Sequence, residues 1–158
     1  MTIQVYEHHD IHDMDAFAGC RTFKSPIKTI GGELVPDYFA LVNEEHEPLP
    51  ARPVSKGYKL VSHLEMFRQQ AEQLTDSALP TTNVSVKDTV LDGGLRATRE
   101  VHFNDVRLDM PVGRLTDSMV ARMDTINSVD MSWAFLAFAG AYRAYCRNTQ
   151  VFGGEKVY

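Results

Sequence analysis

The chain has 158 residues, 44 % of them hydrophobic and 23 % charged, with a formal net charge of −5. That is the size and composition of one soluble globular domain with enough chain to bury a core. It contains no apolar run near the roughly 18 to 20 residues that cross a bilayer, and its acidic balance argues against a generic nucleic-acid glue.

The opening "MTIQVYEHHDIHD" lacks the basic start and apolar middle of a signal peptide. Its continuation "EHHDIHDMD" reads as a polar, solvated terminus. The alternative reading gives His8, His9, Asp10, His12 and Asp13 to a metal, with His8 and His12 one turn apart on a helix. No "HExxH" accompanies them, so their spacing carries little metal specificity. The two cysteines, Cys20 and Cys146, match neither a zinc spacing nor a disulfide framework, and the expectation is reduced thiols in a cytosolic protein.

Pro26, Gly31–Gly32 and Pro36 punctuate a turn-rich section, after which Tyr38 to Asn43 reads as a strand. "EEHEPLPARP" is an exposed loop. "SKGYKLVSH" predicts a short strand with Tyr58, Leu60 and Ser62 on one face. Ser62 is then an N-cap, with Glu65 three residues on completing a capping box. Leu64, Phe67, Ala71 and Leu74 follow near helical spacing, so this segment is the one well-defined helix.

From Thr82 the pattern turns to period two. "NVSVKDTV" alternates, Asp92–Gly94 supplies a hairpin turn, and Leu95 to Phe103 runs back. Residues 118–126 and 132–146 complete the long strands. Within 133–139 both strand faces are apolar, which predicts burial in the sheet; from Gly140 the strand becomes amphipathic. The fold class expected is α+β, a mainly antiparallel sheet with one helix packed on a face and not an OB-fold. The whole chain is read as a single domain.

Charge divides unevenly along the chain. Residues 1–94 carry eight Lys/Arg against fourteen Asp/Glu, and residues 95–158 carry eight against seven. Seven of the later eight are arginines: Arg96, Arg99, Arg107, Arg114, Arg122, Arg143 and Arg147. Arginine grips phosphate bidentately and stacks on bases, although arginines also line ordinary exposed strands. Single-strand binding needs flat rings for the bases and cations for the backbone. "GAYRAYCRN" offers both in Tyr142, Arg143, Tyr145 and Arg147. Catalytic signals are missing: there is no "GxSxG", Gly-rich phosphate loop or "GxGxxG". The expectation is a non-enzyme without cofactor or metal.

"VSKGYKLVSHLEMF" (54–67), the strand-rich middle and "INSVDMSWAFLAFAGAYRAYCRN" (126–148) together resemble the phage/plasmid-like protein family of unknown function. The motif stands here as Asn127, Ser128, Asp130, Ser132, Gly140, Arg143, Cys146 and Asn148, with Met131 and Thr149 where that family has glycines. Within the wider group the chain is most similar to the single-stranded DNA-binding RNA polymerase cofactors of podophages that carry a giant virion polymerase.

The resemblance implies a bacteriophage protein of the host cytoplasm that binds single-stranded DNA and supports phage transcription, and replication in addition. Its partners would be single-stranded DNA, a phage RNA polymerase and further copies of itself, with no membrane. The ending "VFGGEKVY" fits the N-terminal part of a longer phage protein. The expected stacking residues are Trp133, Tyr142 and Tyr145, and the expected phosphate contacts are Arg96, Arg99, Arg122, Arg143 and Arg147. Two further readings stand beside this one. The first is a protein-interaction or oligomerisation module without nucleic-acid contact. The second is a metal-dependent hydrolase using His8, His9, His12 and Asp10.

Overall fold

A computed structural model describes residues 2–112, 115–142 and 151–157. In chain order the elements are β1 (Ile3–His8), α1 (Asp15–Ala18), β2 (Phe23–Lys28), β3 (Leu34–Val42), β4 (Val54–Ser55), α2 (His63–Asp76), β5 (Val84–Leu91), β6 (Arg96–Val112), β7 (Leu115–Ser128), β8 (Leu136–Tyr142) and β9 (Val151–Val157). Among the described residues the strands form one six-stranded sheet, ordered β1-β5-β6-β7-β8-β9, and one three-stranded sheet, ordered β2-β3-β4. All pairings are antiparallel, so the expected α+β class is the observed one. No described helix is long and apolar enough to cross a membrane.

The large sheet is built on the β5–β6 hairpin. Asp92, Gly93 and Gly94 all take positive φ, at 52°, 68° and 94°. Gly94 has a second reason to be glycine, because a Cβ there would stand 3.3 Å from Cys20 Cβ. Beyond the turn the register runs unbroken from Leu91↔Arg96 to Val84↔Phe103. Alternation then buries Val84, Val86, Asp88 and Val90 of β5, opposite Phe103, Val101, Arg99 and Ala97 of β6.

Helix α2 covers that face. Ser62 Oγ accepts the Glu65 amide at 3.1 Å, satisfying one of the helix's open N–H groups. Residues 63, 67, 71 and 74 recur at helical spacing, and the buried face is His63, Phe67, Ala71 and Leu74. Two apolar clusters result. Ile11, Ala71, Leu74, Val84, Val86, Val101 and Phe103 form one; Ala16, Phe17, Phe67, Val90 and Ala97 form the other. Each fully buried Val, Leu or Phe contributes about 1.5–3 kcal/mol.

Several expectations are corrected. The N-terminal segment is not a solvated tail: its first strand pairs with β5, and Ile11, Ala16 and Phe17 lie in the core. Residues 56–62 do not extend a strand. The carbonyls of Ser55, Lys56 and Tyr58 turn together onto the Lys24 amine instead of a neighbouring strand. The apolar run 133–139 is not buried on both faces. It lies beyond the reach of α2, with Phe135 42 % exposed and Ala134 and Ala139 also exposed.

Candidate nucleic-acid interface

The sheet face turned away from α2 carries the inward-outward alternation's other half. Lys87, Thr89 and Leu91 of β5 stand across from Glu100, Thr98 and Arg96 of β6. Those in turn face Asp124, Ile126 and Ser128 of β7, and the row continues to Phe138 and Leu136 on β8. Apart from buried Ser128, these residues are half-buried, unlike the sealed positions beneath the helix.

Polar and apolar residues divide this face. Towards the middle, Arg122 reaches Asp124 at 2.6 Å and Glu100 at 3.1 Å, and Lys87 lies 3.8 Å from Glu100. Two cations are thus interleaved with two carboxylates. His102 sits opposite Arg122, and burial, then the Arg122 charge, push its pKa below the ordinary histidine value despite Glu100 and Asp124.

At the hairpin end the face carries the Trp133 ring. The Arg96 guanidinium carbon lies 5.2 Å from the Trp133 ring centroid, within cation–π range. Its Nε donates to Ser132 Oγ at 2.8 Å and its Nη1 to Asp92 Oδ2 at 3.3 Å. The Trp133 backbone is held by Ser128, whose hydroxyl accepts from the Trp133 amide and donates to the Trp133 carbonyl, both at 3.0 Å. Asp130 shapes the intervening turn by accepting the Ser132 amide at 3.0 Å. Burial pushes the Asp130 carboxyl upward, but the Ser132 and Ser128 hydrogen bonds and the Arg96 charge outweigh it and leave the pKa low. Met131 takes the left-handed φ of 59° that this turn requires.

Of the residues that carry the sequence pattern, five are described and Arg143, Cys146 and Asn148 lie outside the described residues. Asn127 bonds the buried His63 ring, Ser128 holds Trp133, Asp130 and Ser132 form the turn, and Gly140 lies opposite Arg122.

Of the residues expected to bind DNA, Arg96, Trp133 and Arg122 come together on one face. Tyr142 ends β8 opposite Val120, with only its backbone position described. Arg143, Tyr145 and Arg147 lie outside the described residues. Arg99 is corrected. It is 1 % exposed, on the helix side, with Nε and Nη2 on Asp88 and further bonds to the carbonyls of Ile11 and Asp13. No phosphate reaches it there.

The histidines of the alternative metal reading point to separate partners. His8 Nε2 stands 2.9 Å from Asp88 Oδ2, His9 Nδ1 is 3.1 Å from Val84 O, and His12 Nε2 is 3.1 Å from Thr75 Oγ1. Among the described residues no group of three or more His, Cys, Asp or Glu is arranged to hold a metal ion. Lys87, Phe138 and His102 were missed as members of the open face. Their signal was parity with Arg96 and Arg122 through the hairpin register.

On the helix side, α2 and the last strands leave a groove of about 500 Å³, lined by Met66, Gln70, Leu79, Met123, Phe135 and Ala137 among others. Gln70 donates to Thr125 Oγ1, and its own carbonyl oxygen is buried without a partner.

No family model matches the chain, and no curated protein or solved structure matches it significantly.

Proposed function

We propose that this protein binds single-stranded DNA on the open face of its large sheet, without catalysis. The observation that carries the reading is the Arg96–Trp133 pair, on the same face as Leu136, Phe138, Lys87 and Arg122. Flat rings accept bases and the neighbouring cations accept phosphate, which is the combination that sequence-tolerant strand binding needs. Glu100 and Asp124 neutralise part of the charge, so stacking carries a larger share of the affinity than counterion release. The same carboxylates disfavour the dense phosphate array of a duplex.

The resemblance to single-stranded DNA-binding polymerase cofactors supports the same reading and extends it to a phage protein acting on transcription in the host cytoplasm. The apolar groove on the helix side favours a second role, docking a protein partner such as the phage RNA polymerase. DNA and protein would then occupy opposite faces of one sheet. Fluorescence anisotropy with single-stranded and duplex oligonucleotides tests the reading. Single strands are expected to bind more tightly, with affinity falling as salt rises, and Trp133→Ala is expected to weaken them. Equal binding of both forms, or no effect of Trp133→Ala, would remove it.

A further inference from the structure

Strand β1 is one of the two described edges of the large sheet. Its inner side pairs with β5 without a break from Ile3↔Leu91 to His8↔Val86, and its outer side has no strand beside it among the described residues. Such an edge presents a row of backbone donors and acceptors that template pairing with another chain. Proteins usually blunt it with lysine, proline or a bulge. This strand, "IQVYEH", has none of the three, and its one carboxylate, Glu7, lies near its end. Its apolar side chains are also bare: Ile3 is 50 % exposed and Val5 51 %.

We propose that β1 pairs antiparallel with β1 of a second copy of this chain, about a two-fold axis that passes through Gln4. A two-fold perpendicular to the sheet closes the assembly and keeps the two open faces on the same side. Side chains then meet like with like in parity, odd residues against odd. With the axis at Gln4, Ile3 stands opposite Val5 of the second copy, and Thr2 opposite its Tyr6. With the axis at Val5, Ile3 would instead face Glu7, and with the axis at Tyr6, Val5 would. Gln4 is the register that covers both exposed aliphatic residues with aliphatic partners and sets no carboxylate against them.

Pairing over these few residues buries less than the roughly 1,200 Å² of a standard stable interface, so the dimer is a concentration-dependent one. The result is a twelve-stranded sheet whose open faces are continuous. The proposal stands on the edge alone and is independent of the DNA reading.

Sedimentation velocity from low to high micromolar concentration is the first test. The wild-type chain is expected to pass from monomer towards dimer, and Val5→Lys, at a solvent-exposed position, to remain monomeric with an unchanged circular dichroism spectrum. The second test fixes the register. Two Gln4 Cα atoms facing each other across antiparallel strands lie about 4.5–5.5 Å apart, within disulfide reach. Gln4→Cys is therefore expected to form a covalent dimer under mild oxidation, above the background set by Cys20 and Cys146 of the parent. Two Glu7 positions would lie about 20 Å apart in this register, so Glu7→Cys is expected to stay at that background. A wild-type chain that remains monomeric throughout, or Glu7→Cys cross-linking as readily as Gln4→Cys, would overturn the proposal.

Discussion

Arg99 grips Asp88 through two parallel hydrogen bonds, Nε to Oδ1 at 2.8 Å and Nη2 to Oδ2 at 2.7 Å, with both side chains sealed between β5–β6 and α2. The guanidinium also lies 5.3 Å from the Phe17 ring centroid and 5.5 Å from that of Phe67. Two further donors take the carbonyls of Ile11 and Asp13. One arginine thus fastens the N-terminal segment, the helix and the hairpin, which makes it an organiser of the fold.

Breaking a buried ion pair from one side leaves an uncompensated charge and costs about 3–5 kcal/mol. Arg99→Met and Asp88→Asn are each expected to lose stability on that scale in urea unfolding. Because the two share one interaction, the double variant is expected to lose clearly less than the sum of the singles. Small, additive losses would return Arg99 to the surface.

His63 links stability to pH. Its Nε2 is 2.9 Å from Gly94 O and its Nδ1 2.9 Å from the Asn127 amide nitrogen, partners that together select the neutral ring protonated on Nε2. Burial pulls its pKa below the ordinary 6.5, and the Gly94 hydrogen bond only partly opposes this. A lowered folded-state pKa means that the unfolded chain binds more protons below pH 6.5. Stability is therefore complete above the unfolded value and is lost as pH falls through the folded one. His102 is shifted in the same direction, burial again being the first cause. Unfolding midpoints from pH 8 to 5 are expected to fall, and His63→Gln to flatten part of that fall. An unaltered slope in His63→Gln would contradict the assignment.

Two turn positions are expected to respond with opposite signs. Gly94→Ala places a side chain at φ 94° and against Cys20, and should destabilise by more than about 1 kcal/mol. Met131→Gly removes a left-handed cost of roughly 1–2 kcal/mol, offset in part by glycine's greater entropy in the unfolded chain. A small gain is expected there, since Met131 is 58 % exposed and little packing is lost. Thermal unfolding of both variants provides the check.

Much of the fold was legible because local signals agreed. Asp92–Gly94 marked the hairpin, alternation marked the strands flanking it, and Ser62 with its apolar spacing marked α2. The same alternation carried a signal that went unread. Arg99 shares parity with Ala97, Val101 and Phe103, and Asp88 with Val84, Val86 and Val90, so both opposite charges were already assigned to apolar faces. Arginine's preference for surfaces prevailed over parity. The exposure of 133–139 was not legible, because it depends on α2 reaching Met123 and Thr125 of β7 but leaving β8 uncovered. The Arg96–Trp133 pair was legible only as two residue types. Their meeting depends on Ser128 and the Asp130 turn, which bring residue 133 back over the start of β6.

That pair is where the proposed function is most exposed to test. The decisive measurement is single-stranded oligonucleotide affinity of wild type, Trp133→Ala and Arg96→Gln across a salt series, with folding checked by circular dichroism. Loss of the indole is expected to cost about 1–3 kcal/mol of binding with little change in salt slope. Loss of the guanidinium is expected to weaken binding and reduce the slope of log K against log salt by about 0.7. Folded variants that bind as the wild type does, with the same slope, would contradict the assignment of this face to DNA.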